Sequence, residues 1–132
     1  GGLSRLDNVL DQTRPDYLLI ELGGNDALRG YPPTKILKNL NEMIDLAKNR
    51  NIRVFLMQIK ILPNYGKRYQ EQFESIYLKA SNEKKVTLLP FMLDNIALEE
   101  GMMLSDGIHP NEKAQPLIAQ YVFNDLKPYL NQ

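Results

Sequence analysis

The sequence predicts an α/β protein built on a parallel sheet. Two observations carry that expectation. Short apolar runs alternate with longer stretches of helical spacing along the whole chain. The apolar runs also lack period-2 alternation, so they fit strands covered on both faces. Strand and helix in turn imply right-handed crossovers and a sheet with helices on both faces.

The elements follow in order. Leu3, Leu6, Val9 and Leu10 share one face of a first helix, about Leu3 to Gln12. Pro15 ends it, because the residue before a proline avoids the helical region. Tyr17–Leu22 reads as a buried strand that stops at Gly23-Gly24-Asn25-Asp26. Pro32, Pro33 and Thr34 form a loop and an N-cap. Ile36, Leu37, Leu40, Met43, Ile44 and Ala47 then define a second helix. Lys48 and Arg50 suit the negative pole at its end. Val54–Met57 is a second strand, followed by a loop with Pro63, Asn64, Tyr65 and Gly66. Phe73, Ile76, Tyr77 and Ala80 mark a third helix, and Val86–Leu89 a third strand stopped by Pro90. Phe91–Met103 is apolar but irregular. In a last helix, with Pro116 in its first turn, Leu117, Ile118, Tyr121, Val122 and Leu126 are expected to pack inward.

A length of 132 residues suggests one domain, spanning 1–132. Sixteen basic residues balance sixteen acidic ones, which gives no long-range attraction for nucleic acid or an anionic membrane. The absence of cysteine excludes disulfides and thiolate metal sites. No apolar run approaches the ~20 residues of a membrane span. The chain opens Gly1-Gly2, without methionine or signal peptide, and passes straight into a helical pattern. A chain that opens in this way is expected to be trimmed. A sheet of only three strands, the first as apolar as a central strand, leads to the same expectation.

Two loops can carry chemistry. The carboxyl ends of parallel strands are where open α/β sheets place ligands. The glycines allow a sharp turn after Tyr17–Leu22, so Asn25 stands at the mouth of a site with an amide able to donate. The plainer alternative is a strand-breaking turn. Near the other end, Asp106 and the sole histidine, His109, lie three apart across Gly107 in a loop before a helix. A carboxylate there can hold the imidazole in one tautomer and leave Nε2 free as a base. The alternative is an ordinary turn aspartate and a packed histidine. A zinc site is disfavoured, because only carboxylates accompany that histidine. Leu62, Pro63, Asn64 and Tyr65 leave a strand on the same rim as Asn25 and can wall a groove for an apolar substrate. Met92, Met102 and Met103 line the same groove or fill gaps in the core.

These residues together resemble a family. Gly23-Gly24-Asn25-Asp26 and Asp106-Gly107-Ile108-His109-Pro110 are similar to two signature blocks of the SGNH (GDSL-type) hydrolases. The similarity is strongest toward the bacterial thioesterase I/lysophospholipase L1 group. It runs from Gly2 to about Leu130 and includes Glu21–Gly30, Leu56–Ile59, Asn64–Tyr69, Leu88–Phe91 and Asp106–Pro116. The resemblance implies a flavodoxin-like three-layer sandwich with a parallel sheet. It also implies an esterase, thioesterase or lysophospholipase acting through a Ser-His-Asp triad, with no metal and no cofactor. His109 then corresponds to the base, Asp106 to its orienting acid, Asn25 to the oxyanion-hole asparagine and Gly24 to a supporting glycine. The substrate would be a small acyl ester or thioester, not a nucleic acid. Relatives of this kind are often periplasmic, so that compartment is implied as well.

One block is missing. The family serine sits in a Gly-Asp-Ser block, and this chain has none. Ser4, Ser75 and Ser81 fall on predicted helices, and Ser105 adjoins Asp106 without a strand-to-helix turn to present it. The expectation is a C-terminal part of the hydrolase domain, lacking N-terminal strands and the nucleophile. The alternative is a catalytically inert fragment that acts only as a folding or association unit. Either way Tyr17–Leu22 is expected to pair with the missing N-terminal segment or with a second copy.

Overall fold

Apolar side chains three and four residues apart give the long helices of the first 88 residues one buried face each. The computed structural model describes residues 2–61, 65–91, 112 and 115–130. The chain divides into two compact units, Gly1–Leu88 and Leu89–Gln132. The first contains α1 (Gly2–Thr13), β1 (Tyr17–Ile20), α2 (Gly24–Leu28), α3 (Pro33–Lys48), β2 (Arg53–Met57) and α4 (Lys67–Lys84). A short β3 (Thr87–Leu89) follows, and the sheet order is β1-β2-β3.

β1 and β2 run parallel, with Tyr17 opposite Arg53 and Ile20 opposite Leu56. Successive crossovers step the same way across the sheet, so right-handedness places α3 and α4 on one face. There α3 packs against α4, α1 and β2. Ile20, Val54 and Leu56 turn toward these helices and join Leu10, Leu40, Ile44, Phe73 and Tyr77 in one core. Phe55 and Met57 lie on the opposite face of β2 and are buried too. β2 is therefore the central strand. β1 ends the described sheet, and Tyr17 is 40% exposed.

Several boundaries differ from the sequence reading for local reasons. β1 stops at Ile20, not Leu22, because its ladder with β2 ends there. Pro33 opens α3 behind an extended Pro32, so Thr34 lies within the first turn and does not cap it. Proline suits that position, since its missing N–H would have no helical partner. Arg50 serves the end of α3 as its charge suggests, donating to the Leu46 carbonyl at 3.0 Å. It also reaches Asp7 at 2.6 Å and Asp11 at 3.1 Å, fastening α1 to α3. Lys48 instead donates to the Lys84 carbonyl at the end of α4. Val86 is not in β3, because its N–H donates to the Ser81 carbonyl and closes α4 behind a left-handed Lys85.

The second unit carries α5 (Gln115–Leu126) and a 3-10 turn, Lys127–Tyr129. Pro116 lies in the first turn of α5, as expected. Ile118, Tyr121, Val122 and Leu126 are only half-buried, and Phe123 is 51% exposed. Apolar residues at 121, 122 and 123 wrap around the helix and leave no single inward stripe. Among the described residues no helix is long and apolar enough to cross a membrane.

Candidate active site

The turn after β1 is built from both sides. Gly23 has φ 112° and ψ −19° and precedes α2. A side chain is disfavoured in that left-handed region. Space forbids one as well: a Cβ on Gly23 would lie 2.3 Å from Tyr77 Oη and 3.3 Å from Ile36 Cγ2. Tyr77 donates its hydroxyl to the Leu22 carbonyl at 2.6 Å, so the strand's end is held where its ladder has run out. Gly24 is less confined, with Ile59 Cγ2 3.4 Å from a built Cβ.

Asn25 is the second residue of α2 and is exposed. It stands at the carboxyl end of the sheet, where the sequence placed it. Its backbone is tightly held. The Ala27 N–H donates to Gly23 O at 3.0 Å, and the Arg29 N–H is shared between Asn25 O and Asp26 O at 3.2 Å each. Ala27 is fully buried and anchors the short helix. Beyond it, Tyr69 donates to the Tyr31 carbonyl at 2.6 Å. Two tyrosines of α4 thus hold the segment before and after Asn25. Desolvation, with a smaller contribution from the Asp26 charge, raises the pKa of both phenols, Tyr77 the more strongly. Both stay neutral O–H donors at ordinary pH.

Tyr65 lies on the same rim, after β2, and is exposed. The base of its loop is tied to α4. Gln58 Nε2 donates to the Ile59 carbonyl at 2.9 Å and to the Glu74 carbonyl at 3.0 Å. Leu62, Pro63 and Asn64 lie outside the described residues, as do Met92, Met102, Met103, Ser105, Asp106 and His109. Depressions at the amino end of the strands are lined by Asp11, Arg14 and Arg50, and between α1 and α3 by Asp7 and Asp45. Asp7 and Asp11 are both paired with Arg50, and Asp45 with Lys84.

Ser75 and Ser81 do not resemble nucleophiles. Ser75 Oγ donates to the Gln72 carbonyl at 2.8 Å, and Ser81 Oγ to the Leu78 carbonyl at 2.9 Å. Both hydroxyls serve their own helix, and Ser81 is buried. Sequence reasoning gave the glycines the turn and Tyr77 a place in the core, and both hold; it missed the bond from the Tyr77 hydroxyl to Leu22 O. The available signal was a tyrosine on an apolar helix face, whose buried hydroxyl needs a partner.

The chain belongs to the GDSL-like lipase/acylhydrolase family, which it matches over residues 1–116. It is 47% identical over 129 residues to an arylesterase of Vibrio mimicus, covering 98% of this chain and 64% of that protein. It is 44% identical over 130 residues to thioesterase 1/protease 1/lysophospholipase L1 of Escherichia coli (strain K12), covering 98% of this chain and 62% of that protein. This chain therefore spans less than two thirds of the length of either relative. Among solved structures, the psychrotrophic esterase EstA from Pseudoalteromonas sp., inhibited by monoethylphosphonate, superposes with a TM-score of 0.95 at 41% identity. That match covers 100% of this chain and 72% of EstA.

Proposed function

We propose that this chain supplies the acid-base and oxyanion parts of a serine acyl hydrolase that cleaves esters or thioesters. The observation that carries this reading is Asn25, exposed at the carboxyl end of β1 on a turn whose backbone is held on both sides. Membership of the acylhydrolase family supports it. So do relatives named arylesterase and thioesterase 1/lysophospholipase L1. A phosphonate inhibits EstA, and such compounds trap an activated hydroxyl in a tetrahedral adduct.

In this mechanism a serine hydroxyl attacks the acyl carbonyl while His109 Nε2 takes its proton. Asp106 holds the imidazole through Nδ1–H and stabilises the imidazolium. The carbonyl oxygen becomes an oxyanion, and Asn25 Nδ2–H donates to it along with backbone N–H groups. The intermediate collapses, the C–O or C–S bond breaks, and His109 returns the proton to the leaving group. Water then repeats the sequence on the acyl-enzyme. Gly24 keeps the turn beside Asn25 slim. Leu62, Pro63, Asn64 and Tyr65 wall the acyl groove.

The serine in this reading lies outside the 132 residues: they hold no Gly-Asp-Ser block, and Ser75 and Ser81 bond within α4. The segment that carries it pairs along the outer edge of β1. The chain alone is then inert, and the serine-bearing protein is the enzyme. Ester turnover by that protein tests the reading: His109→Ala should abolish it. Turnover that survives His109→Ala would exclude the mechanism.

A further inference from the structure

We propose that Tyr77 is a positioning residue for the Asn25 amide. The inference rests on the reading of Asn25 as an oxyanion donor and adds the group that sets its place. Tyr77 is fully buried, and its ring meets Phe73 edge to face at 5.5 Å and 83°. The ring is fixed by packing, so the hydroxyl is fixed with it. That hydroxyl donates to Leu22 O at 2.6 Å. Leu22 is the residue before Gly23, and the hydroxyl fills the space a Gly23 side chain would need. The glycine and the tyrosine therefore fit as a pair.

The bond acts where the sheet no longer does. The β1–β2 ladder ends at Ile20, so the Leu22 carbonyl has left it. From Gly23 onward the hydrogen bonds of α2 carry the position forward to Asn25. Leu22 O is thus the pivot between a rigid strand and a five-residue helix. A phenylalanine at 77 would fill the core equally well, so packing alone does not account for the hydroxyl. An oxyanion donor must stand ~2.7–3.1 Å from the oxygen it stabilises. A misplacement of about 1 Å can cost ~10²-fold in rate.

The test is a double-mutant cycle on ester turnover by the serine-bearing protein. Asn25→Ala should lower kcat by ~10²–10³, the cost of one oxyanion donor. Tyr77→Phe should lower kcat about tenfold, within the range for donor misplacement, with KM unchanged. The double variant should be no slower than Asn25→Ala alone, because Tyr77 acts only through that amide. Multiplying effects, or a Tyr77→Phe enzyme with normal kcat, would overturn the positioning role while leaving Asn25 an oxyanion donor. Normal kcat in Asn25→Ala would overturn both. If Tyr77→Phe does not fold, Gly23→Ala displaces the same hydroxyl from the glycine side. Its kcat loss should likewise vanish in the Asn25→Ala background, and persistence there would contradict the proposal.

Discussion

At the residue scale, the decisive pair is Gly23 and Tyr77. Gly23→Ala meets both a left-handed backbone and the Tyr77 hydroxyl. We expect it to destabilise the protein by about 1–3 kcal/mol, the usual cost of one strained residue, measured by urea unfolding. Tyr77 also gives a pH prediction. Its folded pKa is raised, chiefly by burial, above an unfolded value of about 10. The neutral phenol is the form the fold favours. Its contribution is complete below about pH 10 and falls as pH rises above that. Alkaline titration followed by phenolate absorbance should leave one tyrosine unionised until the chain unfolds. The sequence made the place of Asn25 legible, because an asparagine after two glycines at a strand end is a local pattern. It hid Gly23's constraint, because the atom that imposes it arrives 55 residues after Leu22.

At the element scale, the faces of α3 and α4 were readable and element ends were not. The faces of α1 and α5 were readable only in part, since Val9 is 47% exposed and Ile118, Tyr121, Val122 and Leu126 are half-buried. Ile36, Leu40, Met43, Ile44 and Ala47 all proved buried on α3. A period of 3.6 depends only on near neighbours, so it shows in sequence. Ends depend on partners. β1 lost Glu21 and Leu22 because β2 offers them no ladder, and Val86 left β3 to close α4. The packing of α3 predicts that Ile44→Ala, at a fully buried position, costs about 2–5 kcal/mol in chemical unfolding. The second clamp on the turn is more open, since Tyr69 is only half-buried. Tyr69→Phe should therefore lower kcat less than Tyr77→Phe, which steady-state ester kinetics will show.

At the scale of the whole molecule, the alternation of strand and helix gave the fold class. Within the first unit α3 and α4 share one face of the sheet, while Phe55 and Met57 are buried on the other. Strand order decides this: β1-β2-β3 steps always the same way, and periodicity does not encode the direction of the step. The site is divided in the same sense. Asn25 sits on the described rim, and in the proposed mechanism the serine comes from outside the 132 residues. The most direct measurement labels the native, serine-bearing protein with a serine-directed phosphonate and locates the adduct by mass after denaturation. The account predicts an adduct outside these 132 residues, formed more slowly when Asn25 is alanine. An adduct on Ser4, Ser75, Ser81 or Ser105, or labelling indifferent to Asn25, would contradict it.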